Sequence, residues 1–123
     1  MPPKTAPNPA GAAVSDTDLA VIARLDAAIR ARRGADPDSS HTARLFAKGP
    51  LKCAQKFGEE AVEAVIAASV DDREELKLES ADALYHLMVM LASRGLSLAD
   101  VARVLEAREG VSGIAEKASR KKA

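Results

Sequence analysis

A chain of 123 residues can form one domain with a small hydrophobic core. Its 47 % apolar content is carried by alanine, leucine and valine, with Phe46, Phe57 and Tyr85 as the aromatics, which favours packed helices over sandwiches or barrels. Lysine and arginine (18) balance aspartate and glutamate (18), so bulk charge gives no grounds for a nucleic-acid or membrane partner.

Residues 1–15 hold four of the six prolines and lack the apolar stretch of a secretory signal, so they read as a disordered leader. A first helix is expected from about Thr17 to Arg33, capped by Ser15 or Asp16 and stopped at Gly34. Leu19, Ile22, Leu25 (or Ala23) and Ile29 give it an apolar stripe at helical spacing. The loop "GADPDSS" and His41 lead into a short helix, about Thr42 to Lys48, halted by Gly49-Pro50. Pro50 suits the first turn of a third helix reaching about Ala68. Its Cys53, the single cysteine, excludes an intrachain disulfide, suits a reducing compartment and reads as a small packed side chain.

Asp72 and Glu75 are spaced as a capping box for a fourth helix that runs to Arg94 and stops at Gly95. Its uncharged run from Ala83 to Ala92 falls far short of the roughly 20 residues that span a bilayer, so a cytoplasmic protein is expected. Ser97 and Asp100 open a fifth helix, about Leu98 to Arg108, and residues 111–123 read as a basic, partly ordered tail. The expected architecture is an all-α bundle of about five helices over residues 16–110.

The third and fourth segments carry the chemistry. At about 100° per residue, Glu59, Glu60 and Glu63 share one arc of the third helix, while Val62, Val65, Ile66 and Ser69 lie opposite. On the fourth, Ala81, Leu84, Tyr85, Leu87, Met88, Val89 and Leu91 cover most of the circumference, as in a surrounded helix. Glu79, Asp82 and His86 nevertheless line one narrow stripe, with His86 read as a core-facing histidine bonded to Asp82. Glu79 and Asp82 repeat the i,i+3 spacing of Glu60 and Glu63. Antiparallel packing brings these four carboxylates together in a mostly buried groove. Ionised groups there cost on the order of several kcal/mol each unless lysines, protons or a cation neutralise them. Hard oxygen donors without cysteine or a well-placed histidine suit Mg²⁺ or Mn²⁺ rather than zinc. Arg44, Lys48, Lys52 and Lys56 recur every four residues just before the acidic motif. Alone they are a solvated basic face; beside a metal groove they suit a polyphosphate, although no glycine-rich phosphate loop is present.

Glu59-Glu60-x-x-Glu63, followed after fifteen residues by Glu79-x-x-Asp82, resembles the metal-binding signature of the all-α MazG-like nucleotide pyrophosphohydrolases. Within that group "SSHTARLFAKGPLKCAQKFGEEAVEAVIAA", "ESADALYHLMVMLASRGLSLADVARVLEAR" and "EKASR" resemble the phosphoribosyl-ATP pyrophosphohydrolases of histidine biosynthesis, from Leu19 to Arg120. Departures fall at His41, where the family usually has tyrosine, and at Phe57, where it has a small aliphatic residue; no acidic position is lost. The resemblance implies Mg²⁺-dependent hydrolysis of phosphoribosyl-ATP to phosphoribosyl-AMP and pyrophosphate. It also implies a homodimer whose bundle and site are completed by both subunits. On that basis Glu60, Glu63, Glu79 and Asp82 are the expected ligands of one or two Mg²⁺ ions, and Glu59 orients or deprotonates the attacking water. Arg44, Lys48, Lys52 and Lys56, with Lys117 and Arg120 of the tail, are the expected phosphate contacts. The competing readings are a MazG-like enzyme that clears canonical or damaged nucleoside triphosphates, and a non-enzymatic helical dimer or adaptor with an acidic groove. A fused cyclohydrolase unit, found in some relatives, is not expected.

Overall fold

A computed structural model describes residues 9–110 and 120. Among them are five helices and no strand: α1 (Asp16–Ala31), α2 (His41–Ala47), α3 (Pro50–Ser69), α4 (Arg73–Ser93) and α5 (Leu98–Arg108). The expectations for residues 1–8 and for most of the tail, Lys117 included, lie outside the described residues.

Local chemistry sets the helix ends. Ser15 caps α1 and Ser97 caps α5, each in a full capping box with the aspartate three residues on. The α1 box pairs the Ser15 N–H with Asp18 Oδ2 at 2.9 Å and the Asp18 N–H with Ser15 Oγ at 3.1 Å. α1 stops two residues before the expected Arg33, because Arg32 and Arg33 form tight turns to Ile29 and Arg30 ahead of Gly34, at φ +80°. α2 begins one residue early. Ser40 caps it, so His41 is its first residue rather than part of the approach loop.

The α3/α4 hairpin dominates the tertiary contacts; α1 packs on α4, and α2 leans on both α3 and α4. Three residues, Val70 to Asp72, reverse the chain. The Asp71 N–H bonds the Ala68 carbonyl and the Asp72 N–H bonds that of Ala67, which closes α3 with a left-handed residue, Asp71, at φ +54°. α4 ends the same way with Gly95 at φ +77°. So short a connection forces the antiparallel arrangement on which the groove depends.

Ile29, Leu45, Cys53, Met88, Val89 and Ala92 form the buried core, with Leu25, Phe46, Leu84, Tyr85 and Leu98 packed around it. This core lies against the C-terminal half of α4, and the Cys53 thiol donates to the Leu45 carbonyl at 3.4 Å. The fourth helix is therefore surrounded over half its length only. Nearer its start Leu78 is 54 % exposed. No helix among the described residues is long and apolar enough to cross a membrane.

Candidate metal centre

α3 turns Lys56, Glu60 and the buried Ala67 and Cys53 toward α4, and α4 answers with Glu75, Glu79, Asp82 and His86 on successive turns. Where the two stripes meet, one carboxylate oxygen from each of Glu60, Glu79 and Asp82 lies within 4.8 Å of the other two. Oxygens gathered within that limit can share one Mg²⁺, whose oxygen shell is about 4.2 Å across. Glu60 and Glu79 are half-buried and Asp82 is exposed, so the groove is more open than the mostly buried one expected. Glu63, one turn along α3, is exposed and lies outside this group of three.

Glu79 is crowded by like-charged neighbours. The residue as a whole reaches the surface, yet its Oε2 is shut off from solvent and has no hydrogen-bond partner. Its pKa is pushed up to about 7, first by the neighbouring Glu75 carboxyl, then by lost solvation and by Glu60. Ionised carboxylates cannot donate to one another, so this contact needs a proton or a cation between the oxygens. A hard divalent cation fits the donor set: three carboxylates, an orphaned oxygen, and no sulfur.

Glu75 is the residue that sequence reasoning missed. Its N–H does bond Asp72 Oδ1 at 3.1 Å, as a capping box requires. The reciprocal arm is lacking because the Asp72 N–H is already spent on Ala67, which frees the Glu75 carboxyl to run along the α4 stripe to Glu79. The i,i+4 spacing of Glu75 and Glu79 was the available signal.

Glu59 points elsewhere. It is exposed, accepts from Gln55 Nε2 at 2.9 Å and lies 3.5 Å from Lys56 Nζ. The Gln55 bond, with Lys56 and Lys52 nearby, holds its pKa below the usual carboxylate value. Lys52 and Lys56 are half-buried on α3, while Arg44, in α2, and Lys48, which caps its end, are exposed, as is Arg120. His86 is buried, as expected of a core-facing histidine, but no bond to Asp82 holds its Nδ1, which has no hydrogen-bond partner. Burial lowers its pKa first of all; Lys56 and His41 also lower it, and Glu60 and Asp82 raise it. Its ring meets Tyr85 edge to face at 4.9 Å, and the Tyr85 hydroxyl bonds Thr42 of α2.

Residues 22–109 match the family model described as phosphoribosyl-ATP pyrophosphohydrolase. The chain is 67 % identical over 102 residues to a phosphoribosyl-ATP pyrophosphatase of Cereibacter sphaeroides, covering 83 % of this chain and 99 % of that one. It is 66 % identical to a protein of the same name from Dinoroseobacter shibae, over 83 % of this chain and all of the relative. A Rhodobacter capsulatus relative, also so named, is 62 % identical over the same share of this chain and 99 % of its own. The matched region contains all five helices but the first turns of α1, and with it every carboxylate of the groove. By this match the chain belongs to the phosphoribosyl-ATP pyrophosphohydrolase family.

Proposed function

We infer that the protein hydrolyses phosphoribosyl-ATP to phosphoribosyl-AMP and pyrophosphate, a step of histidine biosynthesis. The observation that carries this reading is the convergence of Glu60, Glu79 and Asp82, with the orphaned Glu79 Oε2 among them, in a chain matched to the family over its helical region.

Glu60, Glu79 and Asp82, with Glu63 one turn further along α3, would hold Mg²⁺, for which Mn²⁺ can substitute; such an ion screens phosphate charge and lowers the pKa of an attacking water. Gln55 and Lys56 stabilise the Glu59 anion outside the group of three, so Glu59 would reach the attacking water only by exchanging its Gln55 bond for one to that water, as an ionised acceptor at the edge of the acidic arc. Lys52 and Lys56 on α3, with Arg44 of α2 and Lys48 at its end, bind the polyphosphate and the ribose 5-phosphate. Arg120 and Lys117 are the contacts offered by the tail. A single free thiol suits a cytoplasmic enzyme.

The working unit is a homodimer. Val62, Val65 and Ile66 are 56 %, 66 % and 51 % exposed on the side of α3 turned away from α4. An apolar stripe of this kind is suited to burial against a second copy.

Pyrophosphate release from phosphoribosyl-ATP and from a panel of nucleoside triphosphates, with Mg²⁺ or EDTA, tests the reading. Phosphoribosyl-ATP should be turned over fastest and EDTA should stop the reaction. Faster turnover of an ordinary nucleoside triphosphate would transfer the protein to the house-cleaning class. Asp82→Asn should cut the rate by more than about 100-fold with helicity intact, a larger loss than removing a residue that merely supports a ligand.

A further inference from the structure

A second opening lies at the far end of the α3/α4 interface from the Val70–Asp72 turn. Pro50, Cys53, Phe57 and Glu60 on α3 fall three or four residues apart, as do Glu79, Asp82, His86, Val89 and Ser93 on α4. The two stripes that carry the carboxylates therefore run on to Pro50 and Ser93. At the helical rise, about 15 Å of α3 separates Pro50 from Glu60, and a similar length of α4 separates Ser93 from Asp82. Between α2, these two helix ends and the turn after α1 is a cavity of about 230 Å³, whose lining includes Arg33, Gly34, Phe46, Ala47, Pro50 and Ser93. No carboxylate lines it. The Arg33 guanidinium makes no ion pair among the described residues, whereas Arg30 is held by Asp26 at 3.0 Å. It lies over Gly95, where an added Cβ would come within 3.4 Å of its Nη1. The turn bonds here run through the Arg33 and Ala35 N–H groups, which leaves the Gly34 N–H for a ligand. Ser93 Oγ donates to the Met90 carbonyl at 2.6 Å and keeps its lone pairs for a hydroxyl donor.

We propose that this cavity receives the ribose 5-phosphate arm of phosphoribosyl-ATP, with Arg33 as the residue that separates this substrate from ordinary nucleoside triphosphates. Given the substrate and cation site inferred above, on which this rests, a second anion site is required at a distance. Phosphoribosyl-ATP carries its triphosphate and its ribose 5-phosphate on sugars attached to opposite edges of the adenine, so no one cluster of side chains gathers both. The cation held by Glu60, Glu79 and Asp82 takes the triphosphate, and Arg33 joins the lysines at the other end of the molecule. A guanidinium fork beside a backbone N–H suits a phosphate, Ser93 Oγ can accept from a ribose hydroxyl, and Phe46 and Pro50 give the sugar an apolar wall. The volume fits a sugar phosphate and is too small for a whole nucleotide, as befits one arm of a longer ligand. A neighbouring notch at the α4/α5 junction also touches Arg33, but Asp100 lines it and would repel a phosphate. An ordinary nucleoside triphosphate has no group to place in the cavity.

The experiment combines steady-state formation of phosphoribosyl-AMP by the full chain in Mg²⁺ with magnetic-resonance titrations of ribose 5-phosphate and, separately, pyrophosphate. Arg33→Gln should raise KM for phosphoribosyl-ATP about 10- to 100-fold, the worth of a hydrogen bond to a charged group, with little change in kcat. Ribose 5-phosphate binding should weaken by the same factor, while pyrophosphate, which addresses the cation site, binds as before. Arg33→Lys should regain part of the loss. Ala47→Leu narrows the mouth of the cavity without touching a charge and should also weaken ribose 5-phosphate. Arg33 and Ala47 are both exposed, so neither change disturbs the core. Unchanged KM and unchanged ribose 5-phosphate binding in Arg33→Gln overturn the proposal. So does equal weakening of ribose 5-phosphate and pyrophosphate, which marks a diffuse charge effect rather than a subsite. Should the wild type bind ribose 5-phosphate through Arg33 yet fail to hydrolyse phosphoribosyl-ATP, the substrate reading falls and the sugar-phosphate site stands. Hydrolysis that proceeds with Arg33→Gln unimpaired removes the subsite alone.

Discussion

Glu79 is held among like charges, and the consequence can be read in solution. Its pKa is raised in the folded protein to about 7, while in the unfolded chain it returns to the ordinary carboxylate value. Between those values the folded state binds a proton that the unfolded state has released. The associated stability is therefore complete below the unfolded pKa and is lost as pH rises through 7. In EDTA, Tm should fall between pH 5 and pH 8; at pH 8 added Mg²⁺ should restore it, and Glu79→Gln should flatten the pH response. A metal-free Tm that rises across this window would contradict the crowding of Glu75, Glu79 and Glu60. The acidic positions were legible in the sequence because helical spacing groups side chains by face. Which of them meet was not. Glu59 and Glu60 are adjacent in sequence, yet Glu60 meets Glu79 and Asp82 of α4 while Glu59 bonds Gln55 one turn back on its own helix. Glu75 was hidden by its capping role, and the empty Nδ1 of His86 by the plausibility of a bond to Asp82.

At the level of elements, the helix starts were well announced, since a capping box lies within four residues and needs no tertiary information. The ends drifted by one or two residues because final turns tighten according to the loop that follows. The hairpin between α3 and α4 shows how much a turn decides. Asp71 occupies the left-handed position that closes α3, where glycine is the usual residue. Asp71→Gly should relieve that strain and raise stability by roughly 0.5–1 kcal/mol, after the entropy glycine gains in the unfolded chain is subtracted. Chemical denaturation measures it directly. Because the turn lies beyond the carboxylate group, kcat should not change.

For the whole molecule, composition and spacing were enough to place an all-α bundle, because alanine and leucine at helical period leave little room for sheets. They were not enough to say which apolar faces one chain covers. α4 is apolar around most of its circumference, yet its burial in a single chain is concentrated toward its C-terminal end. Val62, Val65 and Ile66 stay more than half exposed. Val65→Asp or Ile66→Asp should convert the proposed dimer to monomer in light scattering and reduce activity with it. A dimer unaffected by either change would place the contact on another face. Cys53, sealed in the core with no exposed surface and its pKa raised by that burial, carries a practical corollary. As the chain's one sulfhydryl it resists alkylation until the helices part, so pulse labelling with a maleimide would time their opening in native buffer with no introduced dye.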